Sequence, residues 1–202
     1  MRYYANPSTK AAREAMSAGL IGAILTPAQG NLLPAGADWC ADNGCFGSGY
    51  PGDRAWLTWL HRMRRRSESC AFATAPDVVA DAGATLKRSR PLLPAIRDLG
   101  YPAAFVAQDG LVDPPWDEFD VLFIGGSTGW KLGPAAAGLA EQAHRHGKPV
   151  HVGRVNSAKR MRYARWIGAD SADGTYLTYG PDTNLPALLA WLHETNNQGV
   201  LT

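Results

Sequence analysis

Residues 121–153, VLFIGGSTGWKLGPAAAGLAEQAHRHGKPVHVG, decide the fold. An apolar run, Val121 to Ile124, breaks at Gly125-Gly126; a helical pattern then extends from Ala135 to His146 and stops at Gly147, and a second apolar run follows at Val150 to Val152. Two parallel strands need a crossover of a dozen or more residues between them, and a helix ended by a glycine supplies it. The stretch predicts a β-α-β unit.

The same alternation runs outward in both directions. Apolar runs at Arg2 to Ala5, Gly22 to Leu25, Asp38 to Ala41, Cys70 to Thr74, Ala103 to Ala107 and Ala169 to Ser171 bring the predicted strands to eight. Helical patterns at Thr9 to Ala18, Asp53 to Arg66, Ala84 to Leu99, Ala158 to Ile167 and Leu185 to His193 bring the helical connections to six. Pro91 and Pro94 must kink or divide the third helix. Eight strands with six helical connections predict a small, trimmed (β/α)8 TIM barrel of parallel strands. An open doubly wound sheet is the competitor, but neither a G-x-G-x-x-G after the first strand nor a G-x-x-x-x-G-K-[ST] occurs. One catalytic domain over 1–195 is expected, with 196–202 as a flexible tail.

Composition fits that reading. Of 202 residues, 46% are hydrophobic and 19% charged, which excludes disordered and fibrous chains. No run approaches the ~20 apolar residues of a membrane helix, and MRYYANPSTK lacks a signal-peptide core, so a cytoplasmic protein away from membranes is expected. Cys40, Cys45 and Cys70 form no CxxC pair, which predicts free thiols and no metal. The net charge of +2 says little, but fourteen of the twenty Lys and Arg fall within 54–66, 87–97 and 154–165, and the first and third of these contain no Asp or Glu. Such runs are either solvated helix faces or the footprint of a polyanion.

In a parallel barrel, chemistry collects where strands run out into the loops that follow. Asp42-Asn43-Gly44-Cys45-Phe46 follows the third strand, Asp77 with Asp81 the fourth, Gln108-Asp109 the fifth and Gly125-Gly126 the sixth. Arg154 and Asn156 follow the seventh, and Asp170 to Asp173 the eighth. Carboxylates facing each other across a pocket suit glycosyl transfer, one to attack or stabilise the anomeric carbon and one to manage protons. Any single Asp here is otherwise a helix N-cap or an Asx turn; Asp42 and Asp173, at the ends of apolar strands, fit the chemical role best. Gly125-Gly126 also admits a phosphate held on backbone N–H groups.

Taken in order, A-D-N-G-C-F-G, P-D-V-V, F-V-A-Q-D-G, F-I-G-G-S-T-G, H-V-G-R-V and A-D-S-A-D-G-T resemble the motifs of the queuine/archaeosine tRNA-guanine transglycosylases, collinearly from about Asp38 to Thr175. That family is a (β/α)8 barrel that exchanges guanine in a nucleic acid for a 7-deazaguanine. This chain departs from it in lacking the C-x-C-x-x-C zinc subdomain and in having Thr175-Tyr176-Leu177 where the family has P-T-R. In those losses it is similar to the divergent phage and genomic-island branch that inserts 7-deazaguanine into DNA.

Residue by residue, the resemblance implies that Asp173 is the nucleophile at C1′ and Asp42 the general acid/base, and that Gln108 and the backbone of Gly125 and Gly126 hydrogen-bond the base. It leaves the reading of the base edge to Asp81, with Asp77 and Asp109 as substitutes because the spacing is shorter here. Phe46 and Asp170, inside matched motifs, join the substrate-binding set, and Trp130 and Tyr176, just past strand ends, are further stacking candidates. Arg154, Asn156, Lys159, Arg160, Arg162 and Arg165 precede Asp173 closely enough to steer a nucleic-acid backbone to it. The implied partners are DNA and a free 7-deazaguanine base, with no cofactor. Trimmed helices leave apolar surface exposed, which favours a homodimer or a partner protein. Three alternatives stay open: an N-glycoside hydrolase that uses water as acceptor, a non-catalytic nucleic-acid-binding barrel, and a barrel that binds a phosphorylated metabolite at Gly125-Gly126.

Overall fold

Alternation along a short strand sends one set of side chains into a barrel and the other against the helices around it. In a computed structural model that describes residues 1–197, β1 (Arg2–Ala5), β2 (Gly22–Leu25), β3 (Trp39–Ala41), β4 (Cys70–Thr74), β5 (Ala103–Ala107), β6 (Val121–Ile124), β7 (Val150–Val152) and β8 (Ser171–Asp173) pair in chain order. All pairs are parallel, and β1 closes on β8 with Arg2 opposite Ser171 and Tyr4 opposite Asp173. The fold is a (β/α)8 barrel, as the alternation predicts.

The helices are α1 (Lys10–Ser17), α2 (Asp53–Met63), α3 (Ala82–Ser89), α4 (Leu92–Asp98), α5 (Thr128–Lys131), α6 (Pro134–Arg145), α7 (Ala158–Trp166) and α8 (Pro181–Asn197). Among the described residues the β2–β3 connection carries no helix, and the β5–β6 connection has only a 3-10 turn at Trp116–Glu118. The predicted helix over 84–99 is divided by its prolines: α3 ends at Ser89 and α4 begins after Pro91. Thr9 caps α1 by accepting from the Ala12 N–H at 3.2 Å.

Tyr4, Cys40, Phe72, Ala104 and Val121 form the buried interior, with Ile24 and Phe123 against them. Gly22 is required there, since a β-carbon would overlap the Tyr4 ring. A larger cluster packs the outward strand faces, including Trp39, Phe105 and Ile124, under the helices through Trp56, Leu93 and Leu139.

The last strand and the last helix depart most from expectation. The last strand lies two residues later than 169–171, because closure pairs Ser171–Asp173 with β1; Asp173 therefore ends a strand rather than following one. The chain also stays helical through Asn197, and Asn196 clasps the N-terminus, accepting from the Met1 ammonium at 2.6 Å. Of the expected tail, residues 198–202 lie outside the described residues. Among the described residues, no helix is long and apolar enough to cross a membrane.

Candidate active site

A cavity of about 190 Å³ opens at the C-terminal mouth of the barrel, with Asp42, Asp77 and Asp173 in its wall. Asp173 is held from both sides. Its Oδ1 accepts from the Arg154 backbone N–H at 3.0 Å, and its Oδ2 accepts from His151 Nε2 at 2.9 Å. Arg154 has φ of 61°, a left-handed conformation that costs a non-glycine residue about 1 kcal/mol or more. That turn aims the N–H at the carboxylate. The carbonyl of the same peptide, on Gly153, accepts from Lys131 Nζ, so the peptide is polarised between a buried amine and the carboxylate. Burial, helped by the nearby Arg154, pushes the Lys131 amine down to about 7.

His151 is fully buried, its ring centroid 4.5 Å from that of Phe123 and 4.8 Å from that of Phe72. A carboxylate partner makes Nε2 the donor. In the neutral ring Nδ1 then accepts from the Ser171 hydroxyl, 2.8 Å away. This chain fixes the rotamer of Asp173 while leaving it in contact with the cavity. Replacing His151 by Phe, which keeps a ring but removes the donor, is expected to lower kcat for the reaction proposed below by about 100-fold with KM nearly constant. Steady-state kinetics test this, and an unchanged kcat would remove His151 from the site.

Asp42 stands across the cavity, just past β3. Burial, together with the carboxylates of Asp173 and Asp77, pushes its carboxyl up to about 7 against the pull of two backbone N–H groups. Asp77 is buried, and its two oxygens accept from Asn43 Nδ2 at 3.2 Å and Gln108 Nε2 at 2.6 Å. Burial raises its pKa in spite of those bonds. The Oε1 of Gln108 also accepts from the N–H groups of Ala80 at 2.9 Å and Gly126 at 3.0 Å, so the Gln108 amide is held on both sides.

Asp42, Asp77, Gln108, Gly125, Gly126, Phe46, Arg154 and Asp173 thus meet at one cavity. Phe46 stays 62% exposed, and the Arg154 guanidinium lies 4.2 Å from its ring centre. Other expected site residues are placed elsewhere. Asp81 caps α3 by accepting from the Ala84 N–H at 2.9 Å. Asp170 precedes β8, at the opposite end of the barrel, where it accepts from the Val150 N–H at 2.8 Å. Asn156 ties down the loop after β8 through the Thr175 N–H at 2.7 Å.

Most α7 cations are occupied: Arg160 donates to the Arg154 carbonyl at 3.2 Å, Arg162 faces Glu194 at 3.3 Å and Arg165 donates to the Thr195 carbonyl at 3.2 Å. Lys159 is exposed. Neither Trp130 nor Tyr176 lines the cavity; Tyr176 packs on Trp191 at 4.6 Å.

The phosphate reading of Gly125-Gly126 is overturned. The N–H groups of Gly125, Gly126 and Ser127 donate to Ala107 O, Gln108 Oε1 and Asp109 Oδ2 at 3.0, 3.0 and 2.6 Å. That leaves none of the three for an anion, and neither the Gly125 nor the Gly126 N–H for the expected contact with the base. Sequence reasoning gave no role to His151, Lys131 or Asn43. His151 did leave a signal, being the polar centre of Val-His-Val, where alternation turns it inward while both valines face the helices. Lys131 left none, because a lysine after a strand reads as a solvated surface residue.

No protein-family model matches the chain, and no curated protein matches it in sequence. Solved structures do resemble it. These include 3-hexulose-6-phosphate synthase from Salmonella typhimurium, with a TM-score of 0.52 and 12% identity over 96% of this chain and 100% of that one. A mandelate oxidase mutant gives 0.61 and 13% over 94% and 68%. Phosphoribosyl anthranilate isomerase from Thermus thermophilus gives 0.56 and 13% over 96% and 99%. None of these three is a transglycosylase, and at such identities the likeness is one of fold: the chain is similar to other TIM barrels across nearly its whole length.

Proposed function

We propose that the protein exchanges guanine in nucleic acid, DNA in preference to RNA, for a 7-deazaguanine base by double displacement at C1′. One observation carries this reading: two carboxylates of different readiness face a single small cavity. Asp173 is fixed by two N–H donors, and Asp42 is pushed to about 7, where a carboxyl both gives and takes a proton near neutrality. The preference for DNA rests on the sequence resemblance alone.

A carboxylate oxygen of Asp173 attacks C1′ as the C1′–N9 bond breaks, and its electron pair leaves on guanine N9, which takes the Asp42 proton. Guanine departs and the deazaguanine enters. Asp42, now a carboxylate, removes the proton from its N9, which attacks C1′ and releases Asp173. Two inversions give retention. Asp77 replaces Asp81 as the reader of the amino and ring N–H edge, since it lines the cavity and Asp81 does not. The target nucleotide has to be flipped out of a duplex or be single-stranded to reach this depth.

The test is nucleoside analysis of DNA and tRNA after incubation with 7-cyano- or 7-aminomethyl-deazaguanine. Incorporation into DNA is expected. Incorporation into tRNA alone would overturn the choice of DNA, and guanine release without incorporation would make the protein a hydrolase. Binding without either would leave a non-catalytic barrel.

A further inference from the structure

The β2–β3 connection, residues 26–38, holds the place in the ring between α1 and α2 without a helix. Beside it lies a groove of about 630 Å³, walled by Pro27 from that loop and by Arg54, Thr58, Trp59 and Arg62 from α2. Arg54, Thr58 and Arg62 are four residues apart in turn and share one face of α2, with the two guanidinium-bearing positions about 12 Å apart along the axis. Both arginines are exposed, and neither forms an ion pair among the described residues. Asp53, the acid at the start of the helix, also lines the groove, next to Arg54, and accepts from the Tyr50 hydroxyl at 2.5 Å.

The groove and the cavity lie on either side of the β2–β3 loop, since Thr26 and Gln29 line the cavity while Pro27, between them in the chain, lines the groove. A polymer with one nucleotide in the cavity crosses this loop directly onto α2. On α7, by contrast, the side chains of Arg160, Arg162 and Arg165 are engaged within the protein.

We propose that the α2 groove carries the sugar-phosphate backbone flanking the nucleotide held in the cavity, with Arg54 and Arg62 each on a phosphate and the Trp59–Pro27 wall against the sugars or an unstacked base. This rests on the nucleic-acid reading above and moves the expected backbone track from α7 to α2.

The test measures binding of a fluorescently labelled 20-mer, single-stranded and as a duplex, by anisotropy across a salt series. The unaltered chain is compared with Arg54→Gln/Arg62→Gln and with a control of equal charge loss on other exposed helix positions, Lys10→Gln/Lys87→Gln. The α2 pair is expected to weaken binding at least tenfold at low salt and to reduce the slope of log affinity against log salt by about 1.8 on duplex or 1.4 on single strand. The control is expected to keep the slope of the unaltered chain, and equal melting temperatures check that all three are folded. A slope unchanged in the α2 pair, with the unaltered chain binding DNA, would overturn the groove alone. An unaltered chain that binds neither oligonucleotide would overturn the nucleic-acid reading and the groove with it.

Discussion

With Asp173 replaced by Asn, base exchange is expected to fall by at least about 10⁴-fold while the melting temperature moves little. An amide nitrogen has no lone pair for C1′, and the amide oxygen is a far weaker nucleophile than a carboxylate. The small structural effect follows from the hydrogen-bond chain behind Asp173. In the Asn variant the amide oxygen keeps the Arg154 N–H, and the amide NH₂ faces His151 Nε2. The imidazole then moves its proton to Nδ1 and donates to Ser171, whose hydroxyl turns to accept. No buried group is left unpaired, so the 1–3 kcal/mol cost of an orphaned donor is avoided. The measurement is exchange rate together with a trapping assay, in which the unaltered chain is mixed with a guanine-containing oligonucleotide without free base and quenched in detergent. A protein–oligonucleotide adduct is expected there and none with Asp173→Asn. Exchange at the unaltered rate in the variant would place the nucleophile elsewhere.

The barrel was legible because its signals are local: apolar runs three to five residues long, helical patterns between them, and glycines such as Gly168, with φ of 81°, just past helix ends. The missing helices at β2–β3 and β5–β6 were legible too, as stretches without helical period. What escaped depends on closure. Nothing local to Ala169–Asp173 says which residues pair with β1, so the sequence puts the last strand two residues early and leaves Asp170, which lies at the opposite end of the barrel, among the substrate-binding candidates. Asp81 and Asp77 look alike in sequence; only the depth of Asp77 between Asn43 and Gln108 separates a cavity wall from a helix cap. His151 required three facts together: that β7 turns it inward, that β8 presents Ser171 and Asp173 to it, and that Phe72 and Phe123 close over it. These are contacts between strands distant in sequence. The partners of Arg162 and Arg165 are hidden for a related reason, since Glu194 and the Thr195 carbonyl arrive from the last helix.

Asp42→Asn is expected to stabilise the protein more at pH 7 than at pH 5 and to leave it nearly inactive. The Asp42 carboxyl, ordinarily at 3.8, sits at about 7 in the fold, so between those values the native state holds a proton that the unfolded chain has lost. Stability in this window falls as pH rises, by roughly 2 kcal/mol from pH 5 to 7 for this group alone. Asp77, raised by burial, acts in the same sense. The carboxylates that pull the other way stay out of the window: Asp120, although partly desolvated, is held down by Arg97, Glu118 is held down by Arg90, and Asp109, although slightly desolvated, is held down by the hydroxyl and N–H of Ser127. They cost stability only below about pH 4.5. Lys131, pushed down by burial to about 7, favours the fold as pH rises only above neutrality, so the comparison belongs between pH 5 and 7.

Asn at position 42 carries no charge at either pH and still accepts from the backbone N–H groups that hold Asp42. Relative to the unaltered chain, the variant is expected to be stabilised by about 2 kcal/mol more at pH 7 than at pH 5, a difference of roughly 4–8 °C in the melting-temperature shift, and so to show a shallower decline from pH 5 to 7. Its exchange rate is expected to drop 10²- to 10⁴-fold, with loss of the inflection near pH 7 expected of the unaltered chain. Thermal melts and rate profiles at both pH values read the two effects on the same samples. A variant stabilised no more at pH 7 than at pH 5 would mean that Asp42 is not held near neutrality by its neighbours; one that is so stabilised yet fully active would mean that the proton passes through another group.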